Sequence, residues 1–537
     1  MKKLVLSCIL LALAIFSFGC VESECEHNYV EEKVSATCVQ DGYVKEVCNK
    51  CGDVKSEKEL EKTGHDYVSY RTNATCTEAG YEISVCEKCN TAQTTKIEEA
   101  KGHDYALMEI FTQKAEKDNC GKYACLDCEE EKIDCINAKD LGMPILSFSG
   151  DVSKISKENK VVVGVHYDDG EKVIEADATL KWQGATSINY PKKNFNMQLL
   201  KKGTNDKNKV ILNEDWGKQS KYCLKANYID FSQARNVVSG RIYNDIVKSR
   251  DLEDEVAKLN NGGVVDGFPI LIYINGEYQG LYTLNIPKDK WMLGMDDDEE
   301  DDSVITKQAI LMGETWNDFV SLEKTINSDF ASCGFELEYC STEDTVGNEW
   351  VYDSFNRVID FVNSNDGEAF KNGIGNYINV ERTIDSMLYT WLIMAADNRA
   401  KNILWATYDG IHWFSSMYDM DGVWGMSWDG LEYNNPFGID KQGYIDNGNL
   451  LWKKIYENFE KEIIKRYFEL RTSSLSTENV ESHFVKFNES ISKLVFEAEK
   501  IKWAEIPSKN TSNLDQILDF MYKRFSAMDE YFLALMN

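Results

Sequence analysis

A histidine and three cysteines return at a fixed interval near the amino terminus, and no other feature restricts so tightly how this chain can fold. His27, Cys38, Cys48 and Cys51 recur as His65, Cys76, Cys86 and Cys89, each displaced by 38 residues. A third block keeps the order as His103, Cys120, Cys125 and Cys128, with a drifting interior spacing. The flanks repeat too: His27-Asn28-Tyr29, His65-Asp66-Tyr67 and His103-Asp104-Tyr105, and Ala36-Thr37-Cys38 with Ala74-Thr75-Cys76. A fixed period marks an array of small modules. Modules this short bury too little apolar surface to fold unaided, so a metal or disulfides must staple them. One His and three Cys per block, including a C-x-x-C, form the ligand set of a tetrahedral Cys₃His zinc site. Three of the 6 histidines in the chain occupy this position. Disulfides are the competing expectation, although three cysteines per block leave one over. Four protein ligands leave no open position for catalysis, so the role of the array is structural in either case. Cys25 and Cys135 bracket the array and could pair, and Cys333 and Cys340, seven apart, could close a small loop. Cys223, in a strand-like run, is expected as a small buried hydrophobe.

Residues 1–19 have the pattern of a secretory leader: Lys2 and Lys3, an apolar stretch from Leu4 to Phe18, then Gly19 before Cys20. The apolar run is short for a bilayer span. It resembles a bacterial lipoprotein signal in which Cys20 becomes lipidated, with Ser17 departing from the usual leucine. The expected address is extracytoplasmic, lipid-anchored to the membrane or cell surface, with simple cleavage at a nearby site and a free protein as the alternative. Lys+Arg total 59 against 90 Asp+Glu, a net charge of −31, which opposes a nucleic-acid partner.

The array is assigned to residues 20–140, as a stalk or adhesion array, and a main domain to 141–537. From about 141 to 290 the pattern is mostly strand, as at Val161–Val165, Ala178–Trp182 and Phe195–Leu199. Asn275-Gly276 between two apolar runs signals a hairpin. One helix interrupts, Ser232 to Lys248. From about 303 to 537 helices dominate: Val380–Ala396, then segments near 449–470, 479–503 and 512–535. The run 296–302, DDDEEDD, is expected as a solvated loop between the halves, with a divalent-ion site as the alternative. The fold class is α+β, a β-rich lobe followed by an α-rich lobe.

The chemistry is expected after the apolar helix. Asp397 and Asn402 are five apart on a loop, and Asp419-Met420-Asp421 follows a short hairpin turned at Asp409-Gly410. This is the layout of a phosphoryl-transfer loop, in which one Asp meets the incoming hydroxyl while an Asn and a second Asp hold Mg²⁺. The lone histidines His166 and His412 are given no role.

The stretch from about 145 to 435 resembles the CotH kinase family of spore-coat-protein-H-like secreted atypical kinases. Besides the Asp397 and Asp419 segments, three others carry the likeness: Leu180-Lys181-Trp182-Gln183-Gly184-Ala185-Thr186-Ser187 with Tyr190-Pro191-Lys192-Lys193-Asn194-Phe195; Leu224-Lys225-Ala226-Asn227-Tyr228-Ile229-Asp230 with Arg235-Asn236; and Tyr273 to Tyr282. The resemblance implies an atypical protein-kinase-like two-lobed domain. It also implies transfer from ATP, with Mg²⁺ or Mn²⁺, to Ser/Thr hydroxyls of a protein at the cell surface or spore coat. It assigns Asp397 as catalytic and Asn402, Asp419 and Asp421 as metal ligands. It puts Gly184, Lys192, Lys193 and Lys225 at the nucleotide and makes Asp230, Arg235 and Asn236 organisers of the site. Gln183 replaces the usual Arg, Ile286 stands where many members are acidic, and no G-x-G-x-x-G is present. Those departures keep open an alternative, an inactive surface scaffold.

Overall fold

The computed structural model describes residues 24–536 except 111–119, 251–254, 296–306, 345–346, 432–434 and 509–511. The leader with Cys20 and the acidic run 296–302 lie outside the described residues. Among the described residues no helix is long and apolar enough to cross a membrane. Contacts divide the chain into two units, Met1–Asp104 with Cys125–Glu129, and Tyr105–Ala124 with Glu130–Asn537.

The first unit contains two three-stranded antiparallel sheets: β1 (Tyr29–Val34), β2 (Gly42–Cys48), β3 (Val54–Leu60), and β4 (Tyr67–Thr72), β5 (Gly80–Cys86), β6 (Ala92–Glu98). The buried apolar residues described in this unit are Cys38, Cys48, Ala74, Cys76, Cys86 and Cys125. The modules therefore have cysteine sulfur where a larger domain would have a hydrocarbon core.

The second unit begins with a third such sheet, β7 (Tyr105–Ile110), β8 (Cys120–Cys125), β9 (Glu131–Cys135), and helix α1 (Ala138–Leu141). Cys135 stands directly opposite Cys120 across β8 and β9. Cys25 has its sulfur 4.0 Å from that of Cys48. No disulfide joins Cys25 to Cys135, so the bracketing pair considered for them is not formed.

Seven strands then close a barrel. They are β10 (Ile145–Ser149), β11 (Val161–Asp168), β12 (Val173–Gln183), β13 (Asn194–Leu200), β14 (Lys221–Lys225), β15 (Gly267–Ile274) and β16 (Glu277–Asn285), in the order β10-β11-β12-β13-β14-β16-β15. Alternation sets the inner face: Val163, Val165 and Tyr167 on β11, and Phe195, Met197 and Leu199 on β13, are buried. The parallel pairing of β10 with β15 closes the ring. Asn275 (φ 50°) and Gly276 (φ 74°) form the expected two-residue turn, which needs positive φ at both positions.

Helices α2 (Arg235–Lys248) and α3 (Glu255–Lys258) lie between β14 and β15 in sequence. The expected helix from Ser232 starts three residues late because Gln233 sits at φ 61°. A Cβ built on Gly240 of α2 would lie 2.1 Å from the Val265 carbonyl oxygen, so this helix packs backbone to backbone. Gly240→Ala is expected to lower stability by about 1–3 kcal/mol, read as a lower urea midpoint. An unchanged midpoint would mean that α2 moves aside freely.

The rest of the unit is helical around a second sheet. The strands are β17 (Ala309–Gly313), β18 (Phe335–Cys340), β19 (Ile403–Thr407) and β20 (Trp413–Met417), ordered β18-β17-β19-β20. The helices are α4 (Glu349–Ser364), α5 (Gly367–Gly373), α6 (Val380–Leu392), α7 (Leu450–Asn458), α8 (Glu460–Arg471), α9 (Thr477–Glu489), α10 (Lys493–Lys502) and α11 (Leu514–Met536). The sequence does not separate β17 from a helix, since all five residues are buried and no alternation marks them. The helix expected over 479–503 breaks at Ser490-Ile491-Ser492. There the Ser490 hydroxyl donates to the Phe487 carbonyl at 2.6 Å and competes with the backbone ladder. Cys333 and Cys340 are both buried free thiols and close no loop between them.

Candidate functional site

Asn379 caps α6, its side chain accepting from Arg382 N at 3.0 Å. The helix ends where Met394 turns to φ 56°, and a single 3₁₀ turn, Asp397–Arg399, follows. From there the chain enters the β19–β20 hairpin, whose closing pair is Ile403 with Met417. Asn402 precedes that pair and Asp419 follows it two residues later, both in the left-handed region (φ 58° and 59°). Tyr418 N donates to the Asn402 carbonyl at 3.2 Å, so the two segments share the open end of one hairpin. Asn402 N also donates to Gly313 O at 2.8 Å, which ties the loop to β17. Asn398 is 2% exposed, and its amide donates to Tyr418 O at 2.7 Å and to Asn402 O at 3.3 Å. Asn398 had no assigned role; its one sequence signal is an amide beside Asp397 in a helix-ending turn.

Asp419 receives the Lys225 ammonium at 3.0 Å. Burial opposes both charges. The mutual attraction prevails, holding Lys225 well above its usual value and Asp419 below the usual carboxylate value. Burial and the charge of Asp419 push Asp421 up to about 8. Asp397 is half exposed and lies 3.5 Å from the Lys401 ammonium.

The first turn of α2 holds the segment that carries these carboxylates. Asp230 accepts from Arg235 N at 2.9 Å and from the Arg235 guanidinium at 2.9 Å. The same guanidinium donates to Val423 O at 2.7 Å and Trp424 O at 3.2 Å. Asn236 accepts from Met420 N at 3.0 Å. The three residues expected to organise the site thus all act on, or support, the chain from Met420 to Trp424.

Of the expected nucleotide-site residues, Lys225 meets Asp419. Lys192 has a different environment. Its ammonium is enclosed and donates to Ala226 O at 2.9 Å, to Leu281 O, and to Glu499 of α10 at 2.7 Å. Lys193 donates to Ile188 O at 2.7 Å and to Tyr190 O, within its own loop. Gly184 (φ 120°) begins that loop. Gln183 donates to the Tyr418 hydroxyl at 3.3 Å, so the residue that replaces the usual Arg touches the chain next to Asp419.

Glu314, Glu336 and Glu338 bring carboxylate oxygens within 4.8 Å of one another around Lys288, whose ammonium lies 5.9 Å from the Tyr418 ring. Alternation along β18 could have shown that Glu336 and Glu338 share a face; the approach of Glu314 and Lys288 could not be read. A polar cleft of about 250 Å³ beside α2, lined by Arg241, Asp245, Asp266 and His483, shares none of the predicted catalytic residues.

The array cysteines group differently from the expected blocks. The close sets are Cys25, His27, Cys48, Cys51; Cys38, His65, Cys86, Cys89; and Cys76, His103, Cys125, Cys128. Cys38 and Cys76 have moved to the following set, Cys25 has entered the first, and Cys120 stands outside all three. Each set has the donor chemistry to hold a metal ion. Burial works against ionisation at Cys48, yet backbone N–H groups of Lys50 and Cys51 take its thiol down to about 5.

A protein-family model described as CotH kinase protein matches residues 180–528, more than half of the chain. No curated protein matches the chain.

Proposed function

Because this chain belongs to the CotH kinase family, we propose that it transfers the terminal phosphoryl group of ATP to Ser or Thr hydroxyls of a protein outside the cytoplasm, from a lipid anchor at Cys20. The observation that carries this reading is the joining of Asn402 and Asp419 at one hairpin end, with Lys225 on Asp419. In this reading the barrel with α2 and the helical part with its four-stranded sheet are the two lobes of a kinase-like domain.

The residues fit the divalent ion that the family implies. Asn402, Asp419 and Asp421 offer hard oxygen donors, the type Mg²⁺ prefers. Two neighbouring carboxylates, one forced up to about 8, form a pair that a divalent cation would relieve. The bound ion would supply neutralisation of phosphate charge. Lys225 would hold Asp419 in place, and Lys288 and Lys401 would add positive field at the same carboxylate. Asp397, half exposed, would orient the substrate hydroxyl and take its proton on a carboxylate oxygen. The hydroxyl oxygen forms the new bond to phosphorus as the bond to the ADP oxygen breaks.

The test is a paired measurement on the full chain: thermal shift with Mg²⁺-ATP, and ATP-dependent labelling of a Ser-rich acceptor. Wild type is expected to show both, and Asp419→Ala neither. Labelling that persists in Asp419→Ala would exclude this site. A thermal shift without labelling of any acceptor or of the chain itself would favour the scaffold alternative, for which Gln183 at the Arg position speaks.

A further inference from the structure

The geometry points to three zinc ions in the amino-terminal array, two of them bound by ligands that bridge neighbouring repeats rather than lie within one. We propose that zinc at Cys38/His65/Cys86/Cys89 and at Cys76/His103/Cys125/Cys128 locks each repeat to the one before it. The site at Cys25/His27/Cys48/Cys51 closes the start of the array.

Three observations support this independently of the catalytic reading. The first is distance. Zn–S bonds of about 2.3 Å put tetrahedral ligand sulfurs about 3.8 Å apart and a sulfur and imidazole nitrogen slightly closer. The sulfurs of Cys25 and Cys48, Cys38 and Cys86, and Cys76 and Cys125 are 4.0, 3.8 and 3.6 Å apart. His27, His65 and His103 present Nδ1 at 3.3, 3.3 and 3.4 Å from Cys51, Cys89 and Cys128. A disulfide would need about half those sulfur separations, and three thiols per set cannot pair off. Soft thiolates with one imidazole in a closed tetrahedral set select zinc.

The second is the route by which one repeat's cysteine reaches the next. Thr37 shapes the turn that carries Cys38, its hydroxyl accepting from Gln40 N at 3.0 Å. The linker before His65 returns to that turn, with Lys62 N on Asp41 at 2.6 Å and Thr63 N on Thr37 O at 2.9 Å. The next linker does the same, with Lys101 N on Thr75 O and Gly102 N on Cys76 O, both at 2.9 Å. The Ala-Thr-Cys repeat is therefore the element that offers its sulfur forward. The tyrosines of the His-x-Tyr repeat orient the imidazoles: His27 stacks on Tyr29 at 5.2 Å and His65 on Tyr67 at 5.1 Å.

The third is the lack of any other core. Cysteines and Ala74 are the buried apolar residues described in this unit, so little remains to hold the modules once the metal is gone.

The experiment counts zinc per full-length chain by plasma mass spectrometry and maps thiols by alkylation before and after chelation. Three ions are expected. Bridged ligand sets predict that Cys25→Ser loses one ion and Cys120→Ser none; blockwise sets predict the reverse. Combining Cys38→Ser with His65→Ala should still lose only one, whereas Cys38→Ser with His27→Ala should lose two. Where a variant fails to fold, the wild-type thiol map decides. Cys25 should become reactive only after chelation, and Cys120 should respond the same way before and after it. A chain without zinc whose array thiols are oxidised, or one whose Cys120 is uncovered by chelation, overturns the proposal.

Discussion

Asp397→Asn is expected to slow phosphoryl transfer by about 10²–10⁴-fold while the Mg²⁺-ATP thermal shift stays at the wild-type value. The substitution keeps the shape of the side chain and removes only its ability to accept a proton. Asp397 stands in a 3₁₀ turn, half exposed, with the Lys401 ammonium 3.5 Å away. Little of the fold leans on it. Asp419 is different: it anchors Lys225 and is a proposed metal ligand, so its loss is expected to weaken Mg²⁺-ATP binding as well. Rate and binding should therefore separate for Asp397 and fall together for Asp419. Labelling by Asp397→Asn at the wild-type rate would remove the general base from this position.

Lys192→Met is expected to cost about 3–5 kcal/mol of stability, because it strands the Glu499 carboxylate in the interior. Both side chains are fully enclosed and meet at 2.7 Å. Glu499 also accepts from Leu281 N at 2.8 Å, so α10 is bound to β16 through this carboxylate. Lys192→Met with Glu499→Leu should recover most of the loss, since replacing both charges by apolar groups removes the desolvation penalty along with the attraction. Chemical denaturation of the two variants measures this. If the single variant keeps its stability and loses nucleotide affinity instead, Lys192 belongs to the nucleotide site, as the family resemblance implies.

That contrast shows what a sequence can and cannot disclose here. Asn402 and Asp419 could be placed at one hairpin end from sequence because a hairpin of known length joins them, so local geometry sufficed. Asn275-Gly276 was legible for the same reason. Lys192 and Glu499 are 307 positions apart, and no periodicity links them; only packing of α10 on the barrel brings them into contact. The array fails in a subtler way. Ligand types and spacing identified a Cys₃His chemistry, but spacing within a block cannot show that Cys38 faces His65, because hydrogen bonds of the intervening linker decide it. β17 was lost because a short run buried on every side carries no pattern.

The forward offer of one cysteine per repeat has a consequence for how such an array changes over generations. Excising 38 residues anywhere between His27 and Cys89 leaves every remaining set with four ligands, since the positions of that stretch repeat at 38 residues and Cys38 can take the place of Cys76. A partial excision leaves an orphaned thiol and an incomplete site. Unequal recombination between repeats should therefore yield arrays that differ by whole units.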